Sequence, residues 1–281
     1  MLIVGTSVVA GKLITTTMPI FLSSFLSLVV ASLLFLPTVY PVIKGKTLTK
    51  RDYWYLSLQA LLGTVLYRIF FFFGLRYVNA GYTGILSALQ PAMISILALI
   101  YLKEKPSFRQ KAGVLLAVCG LMIVYVANGD ATGTSPNIFL GTVLILLAVF
   151  GEACFSIFAK KVDAKVSPTT VAGVVTILSC IMMLPLALID LISPSLPPLT
   201  ITGLGLILYY GVFLTYISFV LWFKGLSQVS ASVAGVFTAL VPVSGVILSV
   251  IILREMPSCF DLIGGLLIIA SLVLVVYKKA R

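Results

Sequence analysis

Residues 74–93 read GLRYVNAGYTGILSALQPAM, and residues 225–244 read GLSQVSASVAGVFTALVPVS. The two stretches align without a gap at an offset of 151 residues, and the register continues to Gly113 and Gly264. The matched pairs include prolines, glycines and a glutamate: Gly84 with Gly235, Ala88 with Ala239, Pro91 with Pro242, Glu104 with Glu255, and Pro106 with Pro257. Chance does not place so many such residues in one register, so the chain contains an internal repeat.

The composition indicates an integral membrane protein. Of the 281 residues, 60% are hydrophobic and only 10% are charged, whereas soluble domains carry roughly 25% charged residues. The formal charge of +11 comes from short clusters of Lys and Arg between long apolar runs, not from one basic face. This placement is typical of membrane topology and argues against nucleic acid as a partner. We therefore expect the chain to lie in a lipid bilayer.

Apolar runs of about 18 to 25 residues predict ten transmembrane helices. Five belong to a first repeat over residues 1–128, and five belong to a second repeat over residues 137–281. Because five is odd, the second repeat enters the membrane from the opposite side, so the predicted fold is an all-α bundle of two inverted five-helix repeats. Inverted repeats are typical of secondary transporters. The predicted spans are 1–17, 19–42, 53–76, 79–102, 108–127, 137–159, 168–192, 200–223, 229–253 and 258–277.

The distribution of basic residues predicts the orientation. Nearly all Lys and Arg residues between the spans fall on one side, whereas Arg76 and Arg254 fall on the other. Positively charged loops stay cytoplasmic, so both termini are predicted to be cytoplasmic. Short loops and the lack of an organelle signal favour a bacterial or archaeal plasma membrane. The run from Met1 to Thr17 lacks a basic start and a cleavage site, so we expect it to be retained. Because this run is short for a span, we also expect that a few residues could precede it.

These features resemble a known family. The opening VGTSVVAGK and the two copies of G-L-x-x-V-x-A…P…E-x-P are similar to the EamA family of the drug/metabolite transporter superfamily. The family pattern W-G-x-x-F-V-x-x-K is kept at Gly5 and Lys12, but Val4 stands where tryptophan is usual. The resemblance implies a ten-helix bundle with a central cavity, cytoplasmic termini and, often, export of amino acids or related metabolites. The same superfamily includes carriers of sugar phosphates and nucleotide sugars, so the fold does not define the substrate.

Three ionisable residues fall within predicted spans: Lys12, Arg68 and Glu152. Burial of each is costly, so each should face protein or water. Lys12 matches the family pattern, which favours a cavity role over a position at the membrane interface. Arg68 could clamp a carboxylate or phosphate, or form a structural ion pair. Glu152 could carry a proton for coupled transport, but the simpler hypothesis is that it neutralises Arg68 or Lys12.

Helical periodicity places Arg68 in the interior of the bundle or at its margin. On the third span, Gln59, Gly63, Thr64, Tyr67 and Arg68 fall on one half of the helix. The other half is apolar and contains Leu58, Leu61, Leu62, Val65, Leu66, Ile69, Phe72 and Phe73. The repeated prolines Pro91 and Pro242 predict helix kinks that free the carbonyls of Ser87 and Thr238. Such kinks can line a polar cavity or serve packing alone.

Other polar and aromatic residues are weaker candidates. Tyr67, Gln90, Tyr216 and Trp222 could contact substrate, although aromatic residues in spans more often meet lipid. Four cysteines in apolar surroundings predict neither disulfides nor a metal site. No cofactor is expected, and the sequence is compatible with a monomer.

A transporter of small anionic or zwitterionic metabolites is the favoured function, with alternating access as its mechanism. A membrane enzyme is disfavoured, because the chain has no histidine and therefore no HExxH site and no Ser-His or Cys-His pair. No catalytic residue is predicted. A noncatalytic scaffold or receptor is the remaining alternative, although the short loops offer little surface for a partner.

Overall fold

The structure is a computed structural model. It describes residues 1–45, 48–102, 137–163, 165–192, 200–228, 240–254 and 257–276, together with positions 112–113, 115–116, 119–120, 122–123, 234 and 238. The described residues form helices and no strand. The helices are α1 (Leu2–Thr17), α2 (Ile20–Lys44), α3 (Lys50–Tyr77), α4 (Ala80–Ser87), α5 (Gln90–Leu102), α6 (Ile138–Ala159), α7 (Pro168–Ile192), α8 (Ile201–Gln228), α9 (Leu240–Leu248) and α10 (Cys259–Val276).

Six helical rods are long and apolar enough to cross a membrane: α2, α3, α4 with α5, α6, α7 and α8. The 16-residue α1 is shorter, as expected from the sequence. Most of the predicted fifth span, 108–127, and the start of the ninth, 229–253, lie outside the described residues. The all-helical fold is confirmed, and the count of ten spans stays a prediction.

The outer surface of the bundle is apolar. Large hydrophobic side chains such as Leu33, Ile189, Ile201 and Leu266 are more than half exposed. Helices satisfy their own backbone hydrogen bonds, so a bundle with this surface is suited to lipid. The chain is therefore a multi-pass membrane protein that contacts the bilayer.

The third helices of the two halves match in length and in capping. Both α3 and α8 contain 28 residues. Each begins after a threonine whose side chain accepts a backbone hydrogen bond, Thr49 in α3 and Thr200 in α8, and these threonines are 151 residues apart. Such caps satisfy amide groups that have no partner within the helix.

A further match lies in the middle of these helices. Each widens into a π-helical segment, Leu61–Leu66 in α3 and Tyr210–Ile217 in α8. Displaced by 151 residues, the first segment falls within the second. π-Helical turns are rare and often occur at functional sites.

The second helices match in a different register. Both α2 and α7 contain 25 residues, and Pro185 follows Pro37 by 148 positions. The three-residue change of register falls in the joint before the third helix, which is longer in the second half.

Several contacts between helices recur in both halves. Helix α2 packs along α7, and α4 packs against α9. Helix α1 packs against α9, while α6 packs against α4 and α5. Helix α3 contacts α7, and α8 contacts α2. If α4 and α5 together are taken as the counterpart of the helix that contains α9, exchange of the two halves converts this set of contacts into itself. The contact of α1 with α3 has no counterpart of similar extent between α6 and α8.

The helix is interrupted just before Pro91, where the sequence predicts a kink. Helix α4 ends at Ser87, and α5 begins at Gln90, one residue before the proline. Two tighter hydrogen bonds close the break, from the amide of Ala88 to the carbonyl of Ile85 and from Leu89 to Leu86. Pro242 is the third residue of α9; its side chain lies outside the described residues.

The faces of α3 are only partly as predicted. Gln59, Thr64 and Arg68 are buried, which confirms that the polar face points inward. Val65 and Phe72 are also buried, at 3% and 1% exposure, although both fall on the apolar half of a regular helical wheel. The π-helical segment explains the difference, because its i→i+5 bonds rotate the later residues relative to a regular helix.

Candidate functional site

A cavity of about 90 Å³ lies between α1, α3, α6 and α8. The π-helical segments of α3 and α8 both contribute to its wall. Sequence-predicted residues Tyr67, Arg68, Glu152 and Trp222 meet there. The other lining residues are Met1, Val4, Ser7, Gly63, Thr64, Phe71, Phe72, Phe155, Ser156, Tyr210, Leu214, Ser218 and Phe219.

Arg68 is held by neutral oxygen atoms. Its Nη1 donates to the hydroxyl of Ser27 at 2.7 Å and, at 3.4 Å, to the carbonyl of Ser24. Its Nη2 donates to the hydroxyl of Thr215 at 2.7 Å. The guanidinium also lies 5.8 Å from the centre of the Tyr210 ring, within range of a cation–π interaction. Arg68 is thus fixed in place, and no carboxylate in the described part of the chain pairs with its guanidinium.

Glu152 lies on the wall formed by α6. It is partly buried, and the side chain of Gln90 lies next to its carboxyl group. Gln90 is 1% exposed, and its Oε1 atom has no hydrogen-bond partner. Gln90 is not among the residues that line the cavity, so a substrate role for it stays a prediction.

The expected ion pair between Glu152 and Arg68 is absent. Each of the two residues is fully described, and every hydrogen bond of the Arg68 guanidinium goes to a neutral group. Their helices approach closely one turn away, where a Cβ atom at Gly63 would collide with the side chain of Phe155. The two side chains instead line a shared cavity, so that a guanidinium and a carboxyl group face the same space without pairing.

Aromatic side chains form much of the remaining wall. The rings of Tyr67 and Phe71 are stacked with centroids 5.4 Å apart. Phe155 contacts Phe219 with centroids 5.1 Å apart. This arrangement gives the cavity polar groups at a few points and apolar surface elsewhere, as is typical of small-molecule sites.

Besides Gln90, four predicted site residues lie away from the cavity lining. The Lys12 ammonium donates to the carbonyls of Leu75 at 2.5 Å and Val78 at 2.9 Å. The Ser87 hydroxyl donates to the carbonyl of Thr83. The ring of Tyr216 packs on Phe35 with centroids 4.7 Å apart, and Thr238 is buried. A substrate role for these four residues stays a prediction.

Sequence reasoning missed Ser27 and Thr215, which hold the guanidinium of Arg68. One signal could have found Thr215: it is 151 residues after Thr64, a residue on the polar face of the third span. Thr64 itself lines the cavity, is 1% exposed, and its hydroxyl has no hydrogen-bond partner. Ser27 belongs to a run of serines in α2 that periodicity does not separate from packing residues.

The fold and the polar cavity define a membrane transporter, and comparison with known proteins identifies the family. The model of the EamA-like transporter family matches residues 1–126 and 139–277. The chain therefore belongs to this family, within the drug/metabolite transporter superfamily that the sequence motifs indicated.

Individual relatives agree with this assignment. The chain is 36% identical to the uncharacterized transporter YetK of Bacillus subtilis, with 100% of this chain and 86% of that protein covered. It is 25% identical to a protein of Streptantibioticus cattleyicolor named "probable terminal-alkyne amino-acid exporter", over 80% of this chain and 73% of the relative. A crystal structure shares the fold with a TM-score of 0.68 and 19% identity, covering 97% of this chain and 92% of the other.

Proposed function

We propose that the protein exports small zwitterionic metabolites, amino acids or close relatives, by alternating access. One observation carries the proposal: Arg68 and Glu152 line the same cavity and do not pair. A zwitterion presents a carboxylate and an ammonium group to these opposite charges. The carboxylate binds to the guanidinium, and the ammonium binds to the carboxyl group of Glu152.

The same charges argue against the superfamily's other substrates. A sugar phosphate or nucleotide sugar carries at least one phosphate and no ammonium group. Such a ligand matches Arg68, but Glu152 repels it in a cavity of low dielectric constant. The aromatic wall suits an amino acid with an apolar side chain. The relative from Streptantibioticus cattleyicolor, named as a probable amino-acid exporter, supports this substrate class.

The alternating-access mechanism is inferred from two inverted repeats of five helices each. The matched lengths of α3 and α8, their threonine caps and their π-helical segments support the repeat. The exchangeable contacts between helices support it independently. In this mechanism, the two halves exchange conformations and open the cavity to each side in turn. Both termini are assigned to the cytoplasm because most basic joints share one side.

Uptake into proteoliposomes tests the proposal. The panel contains labelled amino acids, organic acids and sugar phosphates, under an imposed pH gradient. We expect zwitterionic amino acids to be transported, and Arg68→Gln to lower uptake by about tenfold or more, because it removes a charge-assisted contact. Glu152→Gln should weaken uptake and change its pH dependence. Arg76→Gln and Asp163→Asn are matched controls, since neither residue lines the cavity.

The other outcomes are equally informative. If sugar phosphates are transported and amino acids are not, the proposed substrate class is wrong and the substrate is a phosphate compound. If Arg68→Gln and Glu152→Gln both transport as the wild type does, neither side chain binds substrate, and both have a structural role. If folded wild-type protein moves none of these compounds, a scaffold or receptor role becomes the better hypothesis.

A further inference from the structure

Two lysines make the same kind of contact in different halves of the molecule. The Lys12 ammonium on α1 donates to the carbonyls of Leu75 and Val78, at the carboxyl end of α3. The Lys160 ammonium, directly after α6, donates to the carbonyl of Leu226 near the carboxyl end of α8. A lysine at this end of a helix satisfies carbonyls that lack partners within the helix and interacts favourably with the helix dipole.

The acceptors of these contacts are equivalent in the repeat. Leu226 follows Leu75 by 151 positions, which is the register that aligns α8 with α3 and Thr200 with Thr49. Both contacts therefore end on the same carbonyl of the third helix, once in each half.

The donors are equivalent as well. Lys160 follows Lys12 by 148 positions, the register that aligns α7 with α2 and Pro185 with Pro37. Neither lysine lies among the residues that line the cavity. Both contacts are partly buried, and burial lowers the pKa of Lys160. The contact is thus repeated in donor and acceptor, although Lys12 is half-buried within α1 and Lys160 is an exposed residue directly after α6.

Not every contact is repeated in this way. The Tyr210 hydroxyl donates to the carbonyl of Ser7 at 2.7 Å and so joins α8 to α1. The residue equivalent to Tyr210 is Gln59, which is fully buried and whose Nε2 and Oε1 atoms have no partner. This contact exists in one half only, whereas the lysine contacts exist in both.

We propose that Lys12 and Lys160 are positioning residues that hold the first helix of each repeat to the third helix throughout the transport cycle. The proposal rests on the alternating access of inverted repeats proposed above. When the halves exchange conformations, a contact found in one half moves to the other, but a contact found in both remains in both. The lysines are therefore permanent joints, and neither binds substrate nor acts as a gate.

The first test does not depend on transport. Lys12→Met and Lys160→Met are compared with Lys224→Met, a change at an exposed lysine of α8. We expect both joint variants to lower the midpoint of thermal unfolding by a similar amount, roughly 2–6 °C, and the control to leave it unchanged. Lys12→Arg and Lys160→Arg should restore most of the loss. An unchanged midpoint in either Met variant overturns the proposal, even if no transport substrate is found.

Transport kinetics provide the second test, with an amino acid that the wild type moves. Both Met variants should reduce the maximal rate by similar factors and leave KM within about twofold, because neither lysine touches substrate. A tenfold rise in KM for Lys12→Met alone would make Lys12 a substrate ligand. A substrate leak through either variant would make that lysine a gate. If a Met variant does not fold, the Arg variant decides instead: a folded protein with KM within about twofold of wild type supports the joint, whereas a tenfold rise in KM or a substrate leak overturns it.

Discussion

Replacement of Thr215 by valine should loosen Arg68 while the shape of the side chain is nearly preserved. The Thr215 hydroxyl accepts from Arg68 Nη2 at 2.7 Å and donates to the carbonyl of Tyr210 at 2.9 Å. Thr215→Val removes one of the two short hydrogen bonds of a buried guanidinium, the other being to Ser27.

The size of the effect follows from two bounds. A hydrogen bond to a charged group contributes about 1.5–3 kcal/mol in proteins generally. Hydrogen bonds between membrane helices average about 0.6 kcal/mol, with a maximum near 1.7. We therefore expect Thr215→Val to lower the free energy of unfolding by about 1–2 kcal/mol, which is a factor of 5–30 in the equilibrium constant.

The repeat supplies a matched control. Thr64 occupies the equivalent position in α3, is equally buried, and its hydroxyl has no partner. Thr64→Val should therefore be neutral or slightly stabilising, because it removes an unsatisfied polar atom. Reversible unfolding in mixed detergent micelles, followed by tryptophan fluorescence, gives both values. Equal destabilisation by the two variants would refute the assignment of Thr215 as a specific support of Arg68.

Three further predictions concern stability. Gln59→Leu should raise the free energy of unfolding by about 1–3 kcal/mol, since it removes two buried atoms without partners; a less stable protein would mean that the amide has a partner. Gly63→Val should lower the melting temperature strongly, because its side chain would collide with Phe155, whereas Gly205→Ala should be harmless or favourable, since nothing lies within 4 Å. Asp52→Asn should lower the melting temperature, because the buried carboxylate caps α3 and accepts a hydrogen bond from the backbone amide of Asp163, which follows α6. An unchanged melting temperature would exclude that role.

Much of the fold could be predicted because membrane helices obey simple rules. Long apolar runs define the spans, and α2, α6 and α7 begin and end within a few residues of the predicted bounds. Pro91 predicted the break between α4 and α5, because proline cannot donate the hydrogen bond that a continuous helix requires. The register of the repeat was visible in the sequence around Gly74, because prolines and glycines recur there at matched positions and other residues rarely replace them.

The site was predictable only in part. Periodicity placed Arg68 inside the bundle, but it could not identify the partner of Arg68, because neutral hydroxyl groups are common in every helix. The π-helical segments also escaped prediction, since their i→i+5 bonds have no simple sequence signal. The partners of Lys12 could not be predicted either, because they are backbone carbonyls, which every residue supplies.

The central claim is that Arg68 and Glu152 recognise opposite ends of a zwitterion, and competition for transport tests it most directly. The competitors are an amino acid that the protein transports, its amide without a carboxylate, and its deaminated acid without an ammonium group. The account predicts that wild type prefers the amino acid by about tenfold or more over each analogue. Arg68→Gln should lose only the preference over the amide, and Glu152→Gln only the preference over the acid. If both variants lose both preferences equally, or if wild type does not distinguish the three compounds, the account is contradicted.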